Sequence, residues 1–274
     1  LMARFGRAEV ALPGGCTIGN RPIDMHIKAL RLMGARSELI QGDEHISCEK
    51  LNGARVYFDR PTVTGTENVM MAATAAEGET ILENAAKEPE IVCLANMLSS
   101  MGAEIHGAGT GTIRIVGKHQ LQPAKHKVIS DRIEAGTYAV AAPVTGGSIK
   151  ITNFDPSMIT SLILKMRDAG IQVIEHEDGI EVSGESPFEP VDMTTAEFPG
   201  FPTDLQAQFM VLMSLSNGKS IITENIFEDR FKHVPELNRM GGDIRIKGRN
   251  AFVKGVETFS GAAVTASDLR ASAS

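Results

Sequence analysis

Cys16 lies in the run Leu12-Pro13-Gly14-Gly15-Cys16-Thr17-Ile18-Gly19-Asn20-Arg21-Pro22-Ile23-Asp24, a thiol in a loop with three glycines, six residues before Pro22. Glycines give such a loop backbone shapes that other residues resist, and let it approach or cover a ligand. Pro22 is placed to open a helix whose apolar face is Ile23, Ile27, Leu30 and Met33. The positive end of that helix and the Arg21 guanidinium would lower a nearby thiol pKa and attract phosphate. A Cys in that setting can donate a proton or attack an electrophile. The competing reading is a small buried hydrophobe, the commonest fate of a lone Cys. Cys48, in a strand-like run, and Cys93, on a helix, have no basic or glycine-rich surroundings in the sequence and are read as inert.

A second group of polar residues is spread more widely. Asp204 precedes an apolar helical stretch and reads locally as the N-cap of a helix beginning at Leu205. Arg60, Arg230 and Arg270 read, one at a time, as solvated surface charges. Glu88 and Glu90 read as first-turn helix residues.

The elements that must position these groups recur. Gly34, Gly102, Gly170 and Gly241 follow apolar helical runs and are 68, 68 and 71 residues apart, a regular period. Glycine suits the left-handed position just past a helix end. In the same phase, three turns, at Glu77-Gly78, Gly146-Gly147 and Asn217-Gly218, each lead into a short β-prone run ending at Asn84, Asn153 or Asn225. Asp155-Pro156 reads as an N-cap with Pro at the first helical position. Ile159, Leu162, Ile163 and Met166 then form one apolar face, as do Ile91, Leu94, Ala95, Leu98 and Met101 one unit earlier.

After each glycine the period changes to two, predicting hairpins over 171–182, 244–253 and 104–116. Helical stretches open the units at Thr66 to Ala76, Arg132 to Ala142 and Asp204 to Leu215. Strands precede the first two of these, at Arg55-Val56-Tyr57-Phe58 and Lys127-Val128-Ile129. The unit is therefore βαβαββ. The chain starts partway through one unit and stops as another first helix is due, so both termini are expected to be cut from a longer polypeptide. Gln120, Gln122, Pro123 and His126 interrupt the apolar pattern, which predicts a junction between domains at 1–125 and 126–274.

Composition narrows the function. The formal charge is −7 with no basic tract, which argues against nucleic-acid binding through a broad positive face. A small anionic ligand remains compatible with a few local arginines. No run of 18 apolar residues predicts a membrane span. Three widely spaced cysteines do not form a disulfide framework, and a reducing cytoplasm is the simple inference. Metal-ligand spacing and a dinucleotide glycine fingerprint are both lacking, so no metal or cofactor is expected.

The Cys16 run resembles the catalytic loop of the enolpyruvyl transferases of the UDP-N-acetylglucosamine type. The resemblance extends over the whole chain. It is anchored also at Glu83-Asn84-Ala85-Ala86, at Glu88-Pro89-Glu90-Ile91-Val92, at Phe201-Pro202-Thr203-Asp204-Leu205-Gln206-Ala207-Gln208 and at Asp268-Leu269-Arg270-Ala271-Ser272. It implies an inside-out α/β barrel of two domains built from βαβαββ repeats, both incomplete here. It implies transfer of the enolpyruvyl group of phosphoenolpyruvate to the 3-hydroxyl of UDP-N-acetylglucosamine with release of phosphate, the first committed step of peptidoglycan synthesis. Cys16 becomes the acid that protonates the methylene carbon, and the thiol alkylated by fosfomycin. Asp204 becomes the carboxylate that binds the sugar hydroxyl and serves as its base.

Arg21, Pro22, Ile23, Asp24 and Met25 match positions that touch the nucleotide and phosphate. Arg60, Pro61, Thr62 and Val63 match a second nucleotide stretch, whose first residue is often Lys in the family. Ile226 matches an apolar substrate contact, while Arg230 and Arg270 match arginines of the phosphoenolpyruvate pocket, where a planar fork suits carboxylate or phosphate. A Lys-Asn pair, an Arg ahead of the Cys loop and a further Arg near the family's C-terminus have no counterpart in this chain. Two other readings stand beside this one: an enolpyruvylshikimate-phosphate synthase-type transferase, and a non-catalytic nucleotide-sugar-binding relative.

Overall fold

A computed structural model describes residues 1–11, 22–118, 120–266 and 269–273. Contacts divide the described chain into two compact units, the first ending at Ile129 and the second opening at Ser130. Each has its own apolar core.

In the first unit, α1 (Met2–Phe5), β1 (Arg7–Ala11), α2 (Asp24–Leu32), β2 (Arg36–Ile40) and β3 (Asp43–Ser47) form one module, with β1 and β2 both antiparallel to β3. The next module is β4 (Arg55–Tyr57), α3 (Val63–Ala73), β5 (Glu79–Glu83), α4 (Pro89–Ser100), β6 (Glu104–His106) and β7 (Thr112–Val116). Its sheet order is β4-β5-β7-β6, with β4 parallel to β5 and the other pairs antiparallel.

The second unit opens with α5 (Arg132–Val144), β8 (Ser148–Thr152), a 3-10 turn at Pro156–Ile159, α6 (Thr160–Asp168), β9 (Gln172–His176) and β10 (Gly179–Ser183), in a sheet ordered β8-β10-β9. It continues with β11 (Met193–Thr194), a 3-10 turn at Thr203–Leu205, α7 (Gln206–Ser214), β12 (Lys219–Thr223), α8 (Val234–Arg239), β13 (Asp243–Lys247) and β14 (Asn250–Lys254). The order β11-β12-β14-β13 repeats that of the β4 sheet, strand for strand.

The repeat has a common local cause. Gly34, Gly102, Gly170 and Gly241 have φ of +99°, +99°, +84° and +98°. At Gly170 the helix closes with Gly170 N–H donating to Arg167 O and Ile171 N–H to Met166 O, both at 3.0 Å. This is the Schellman arrangement, and the same pair of bonds recurs at the other three helix ends. Gly170→Ala should therefore cost roughly 1–2 kcal/mol through the left-handed backbone alone, since no atom lies within 4 Å of an added Cβ. Denaturant unfolding of the two proteins would check this, and equal midpoints would contradict it.

Other local expectations fare well. Asp155 Oδ1 accepts from Ser157 N–H at 2.9 Å, as an N-cap before Pro156 should. Ile159, Leu162, Ile163 and Met166 are all fully buried. The strand expected at Lys127-Val128-Ile129 is not formed: residues 120–131 contain no strand, and the β8 sheet has three strands. Val128, which follows Lys127, is 73% exposed, so its β-prone side chain meets no apolar face. Conversely, β1 has no sequence signal of its own. It is a mostly exposed strand defined by pairing with β3.

Candidate functional site

Cys16 and Arg21 lie outside the described residues. The other candidate residues fall into one group in each unit.

In the first unit, α2 begins at Asp24, two residues beyond Pro22, and an acidic first turn complements the helix dipole. Pro22, Ile23 and Asp24 line an open cavity of about 650 Å³ together with Lys28, Arg31 and Glu44. Met25 is buried in the apolar core. A ligand contact at Met25 would run through its backbone N–H, one of the first-turn groups that a helix leaves without an intrahelical partner.

Thr62 caps α3: its Oγ1 accepts from Gly65 N–H at 3.2 Å and its carbonyl from Thr66 N–H at 2.9 Å. Val63 packs against the core, whereas Arg60 is exposed. The two candidate stretches are neighbours. Lys28 Nζ reaches Asp59 Oδ2 at 2.9 Å, and His26, on α2, is bonded by Asn68 Nδ2 of α3 at 3.1 Å and lies 3.5 Å from Thr64 Oγ1.

His26 gives this junction a pH dependence. Burial pushes its imidazole below the ordinary value near 6.5, only partly offset by the Asp24 charge. The unfolded chain then binds more protons than the folded one just below that value, so stability rises with pH through this window. The stability from neutral His26 is fully present above about 6.5 and is lost as pH falls toward the depressed folded value. Urea midpoints at pH 7.5 and 5.5 should differ less in His26→Gln than in the unsubstituted chain. Equal differences would contradict the assignment.

Two expectations are corrected nearby. Cys93 does have a basic neighbour, since its Sγ lies 3.2 Å from His126 Nε2. The sequence hid this because 33 residues separate the two. Glu88 and Glu90 are more than first-turn residues: Glu88 is buried, and both charges, after burial itself, push the Glu67 carboxyl upward.

In the second unit, Asp204, Arg230 and Arg270 come together. Asp204 Oδ1 accepts from Arg230 Nη2 at 2.7 Å, and its Oδ2 lies 3.6 Å from Arg270 Nε. The Arg230 side chain is only 5% exposed, against 37% for Asp204. Arg230 Nη1 also donates to Thr203 Oγ1 at 3.3 Å, and its guanidinium sits 5.2 Å from the centre of the Phe227 ring. The N-cap reading of Asp204 is therefore corrected. It lies within the 3-10 turn, two residues past the capping position at Pro202, and no side chain caps either that turn or α7.

Sequence reasoning missed Glu224. It is 1% exposed, and five donors converge on its carboxylate. Oε1 accepts from Thr195 Oγ1 at 2.9 Å and from the N–H groups of Ile226 and Phe227 at 2.8 and 3.1 Å. Oε2 accepts from Thr203 Oγ1 at 2.9 Å and Gln206 Nε2 at 3.5 Å. A signal was present. Ser220 and Ile222 are the buried alternates of β12, and Glu224 continues that inward register. The repeat departs from itself here too. Asn84 and Asn153, each the residue just after its strand, have φ of +53° and +64°, whereas Asn225 is not left-handed and its N–H donates to Thr195 Oγ1 at 2.9 Å.

Among the described residues, no cluster of three or more His, Cys, Asp or Glu could hold a metal ion. Nor is any helix there long and apolar enough to cross a membrane.

Two guanidinium groups thus flank a part-exposed carboxylate on a repeated βαβαββ scaffold, an arrangement chemically suited to holding a small polar or anionic group. Residues 1–274 match the family model described as EPSP synthase (3-phosphoshikimate 1-carboxyvinyltransferase), and the chain belongs to that family. Within it, the chain is 55% identical over 273 residues to the UDP-N-acetylglucosamine 1-carboxyvinyltransferase of Geotalea uraniireducens (strain Rf4). It is 52% identical over 274 residues to the protein of the same name from Myxococcus xanthus (strain DK1622). All of this chain is covered, and it spans 66% and 65% of those relatives' lengths.

The α/β fold matches solved structures of the group. Superposition on the enolpyruvyl transferase NikO from Streptomyces tendae gives a TM-score of 0.81 at 20% identity, covering 93% of this chain and 61% of that one. For an EPSP synthase from Acinetobacter baumannii the values are 0.63 and 20%, covering 91% and 60%.

Proposed function

We propose that this chain supplies the catalytic thiol and the acceptor-binding carboxylate of a UDP-N-acetylglucosamine 1-carboxyvinyltransferase. In this reading the enolpyruvyl group of phosphoenolpyruvate passes to the sugar 3-hydroxyl and phosphate leaves. Cys16 gives a proton to the methylene carbon, making the adjacent carbon electrophilic. Asp204 receives the proton of the attacking hydroxyl. Arg230 and Arg270 hold the phosphate or carboxylate of phosphoenolpyruvate through planar donor forks. Pro22, Ile23, Asp24, Met25 and the Arg60–Val63 stretch, with Arg21, take the nucleotide, and Ile226 touches the substrate.

The observation that supports this most is the placement of Asp204, bonded to Arg230, beside Arg270 and still part-exposed. That arrangement leaves one carboxylate edge for a hydroxyl next to fixed positive charge. The names of the 52–55% identical relatives favour the UDP-sugar over shikimate 3-phosphate as acceptor.

The same reading takes the fold as an inside-out barrel of two domains, 1–125 and 126–274. It places the work in the cytoplasm, in peptidoglycan synthesis, with Cys16 open to alkylation by fosfomycin. Phosphate release by the full reading frame that encodes this chain tests it. Release should require phosphoenolpyruvate and UDP-N-acetylglucosamine together. Release with shikimate 3-phosphate instead would move the assignment to the sister reaction, and binding of the UDP-sugar without turnover would reduce it to a binding role.

A further inference from the structure

Resting on that reading, we propose that Glu224 is a positioning residue for the Asp204–Arg230 pair, acting through Thr203 and through the loop that follows β12.

The bonds form one connected path. Thr203 Oγ1 donates to Glu224 Oε2 and accepts from Arg230 Nη1, and Arg230 Nη2 donates to Asp204. The guanidinium is thus forked over two consecutive residues, 203 and 204, and the Thr203 hydroxyl is oriented by Glu224. On its other side, Oε1 gathers the N–H groups of Ile226 and Phe227. That fixes the segment whose Phe227 ring lies beside the Arg230 guanidinium. One buried side chain therefore sets Arg230 twice, by a hydroxyl at its nitrogen and by a ring at its face.

The chemistry of the residue fits this role. Every bond made to the carboxylate comes from a donor, which suits a group that only accepts. An amide in its place would turn an N–H₂ toward Thr203 or Gln206, whose own donors already point there. A buried carboxylate is costly unless fully bonded, and here five donors satisfy it. The backbone adds rigidity: Glu224 N–H donates to Arg249 O at 2.8 Å, and Arg249 Nη1 donates to Asn225 O at 2.8 Å.

The test is steady-state phosphate release by the full reading frame, unsubstituted and as Glu224→Gln, Thr203→Val, Thr203→Ser and the double variant Glu224→Gln/Thr203→Val. Melting curves establish that each is folded. Misplacing Asp204 and Arg230 should lower kcat by about 10–100-fold in Glu224→Gln and Thr203→Val, while KM for the UDP-sugar stays within about threefold. Thr203→Ser restores the hydroxyl and should recover most of kcat.

Because Glu224 and Thr203 act along one path, the double variant should be no more than about threefold worse than the poorer single variant. Multiplying losses, or folded single variants with the kcat of the unsubstituted protein, would overturn the role. If Glu224→Gln fails to fold, the contrast of Thr203→Val with Thr203→Ser decides: equal kcat in both refutes the path. Failure of the underlying reading looks different, since the unsubstituted protein would then release no phosphate, and the positioning role would fall with it.

Discussion

Asp204→Asn should lose both turnover and stability. The substitution keeps shape and most hydrogen bonding but removes the negative charge from a pair whose arginine side chain is 5% exposed. Breaking a fully enclosed ion pair costs roughly 3–5 kcal/mol, because a buried charge is left without compensation. Here the carboxylate is 37% exposed and Arg230 keeps its bond to Thr203. A smaller loss, about 1–3 kcal/mol, is therefore expected. Removal of a positioned base typically slows a reaction by about 10²–10⁴-fold. Urea unfolding reads the first effect and phosphate release the second. Unchanged turnover with a stability loss would leave Asp204 as a structural partner of Arg230 only.

Cys16→Ser should reduce turnover by a similar factor, on the order of 10²–10⁴, because a hydroxyl is a far poorer proton donor and nucleophile than a thiol near neutral pH. Cys16→Asp should retain measurable activity, since a carboxylic acid can also give a proton, and should resist thiol alkylators. Comparing the three proteins before and after treatment with a thiol-reactive epoxide checks both statements. Rates in the Ser variant equal to those of the unsubstituted protein would remove Cys16 from the chemistry. This prediction rests on the residue types around Cys16 and on the family match, since the loop itself lies outside the described residues.

What was legible in the sequence follows from the range over which each feature is determined. The four glycine helix ends, the Asp155 cap and the buried face of α6 are set by neighbours within one or two turns, and all could be read locally. So could the hairpins, whose alternation is set by the pleat. The β1 strand, the unformed strand near Val128 and the Cys93–His126 contact depend on partners far along the chain, and local pattern could not decide them.

The site divides in the same way. Asp204, Arg230 and Arg270 could be named from their resemblance to a family, but nothing in their spacing shows that they meet. Asp204 is 26 residues from Arg230 and looks like a cap until the 3-10 turn carries its carboxylate away from the helix. Glu224 is the instructive omission. Its inward register was readable from Ser220 and Ile222, but a charged residue on a buried face reads as an error of register until its five donors are seen.

The most direct test of the central claim is the fate of solvent hydrogen. If Cys16 protonates the methylene carbon, that carbon is briefly a methyl group before a proton is removed again to restore the double bond. Run in heavy water by the full reading frame, the reaction should place deuterium in the methylene group of the enolpyruvyl product, as read by mass spectrometry and proton NMR. Product formed at the normal rate with no solvent deuterium at that carbon would contradict the account.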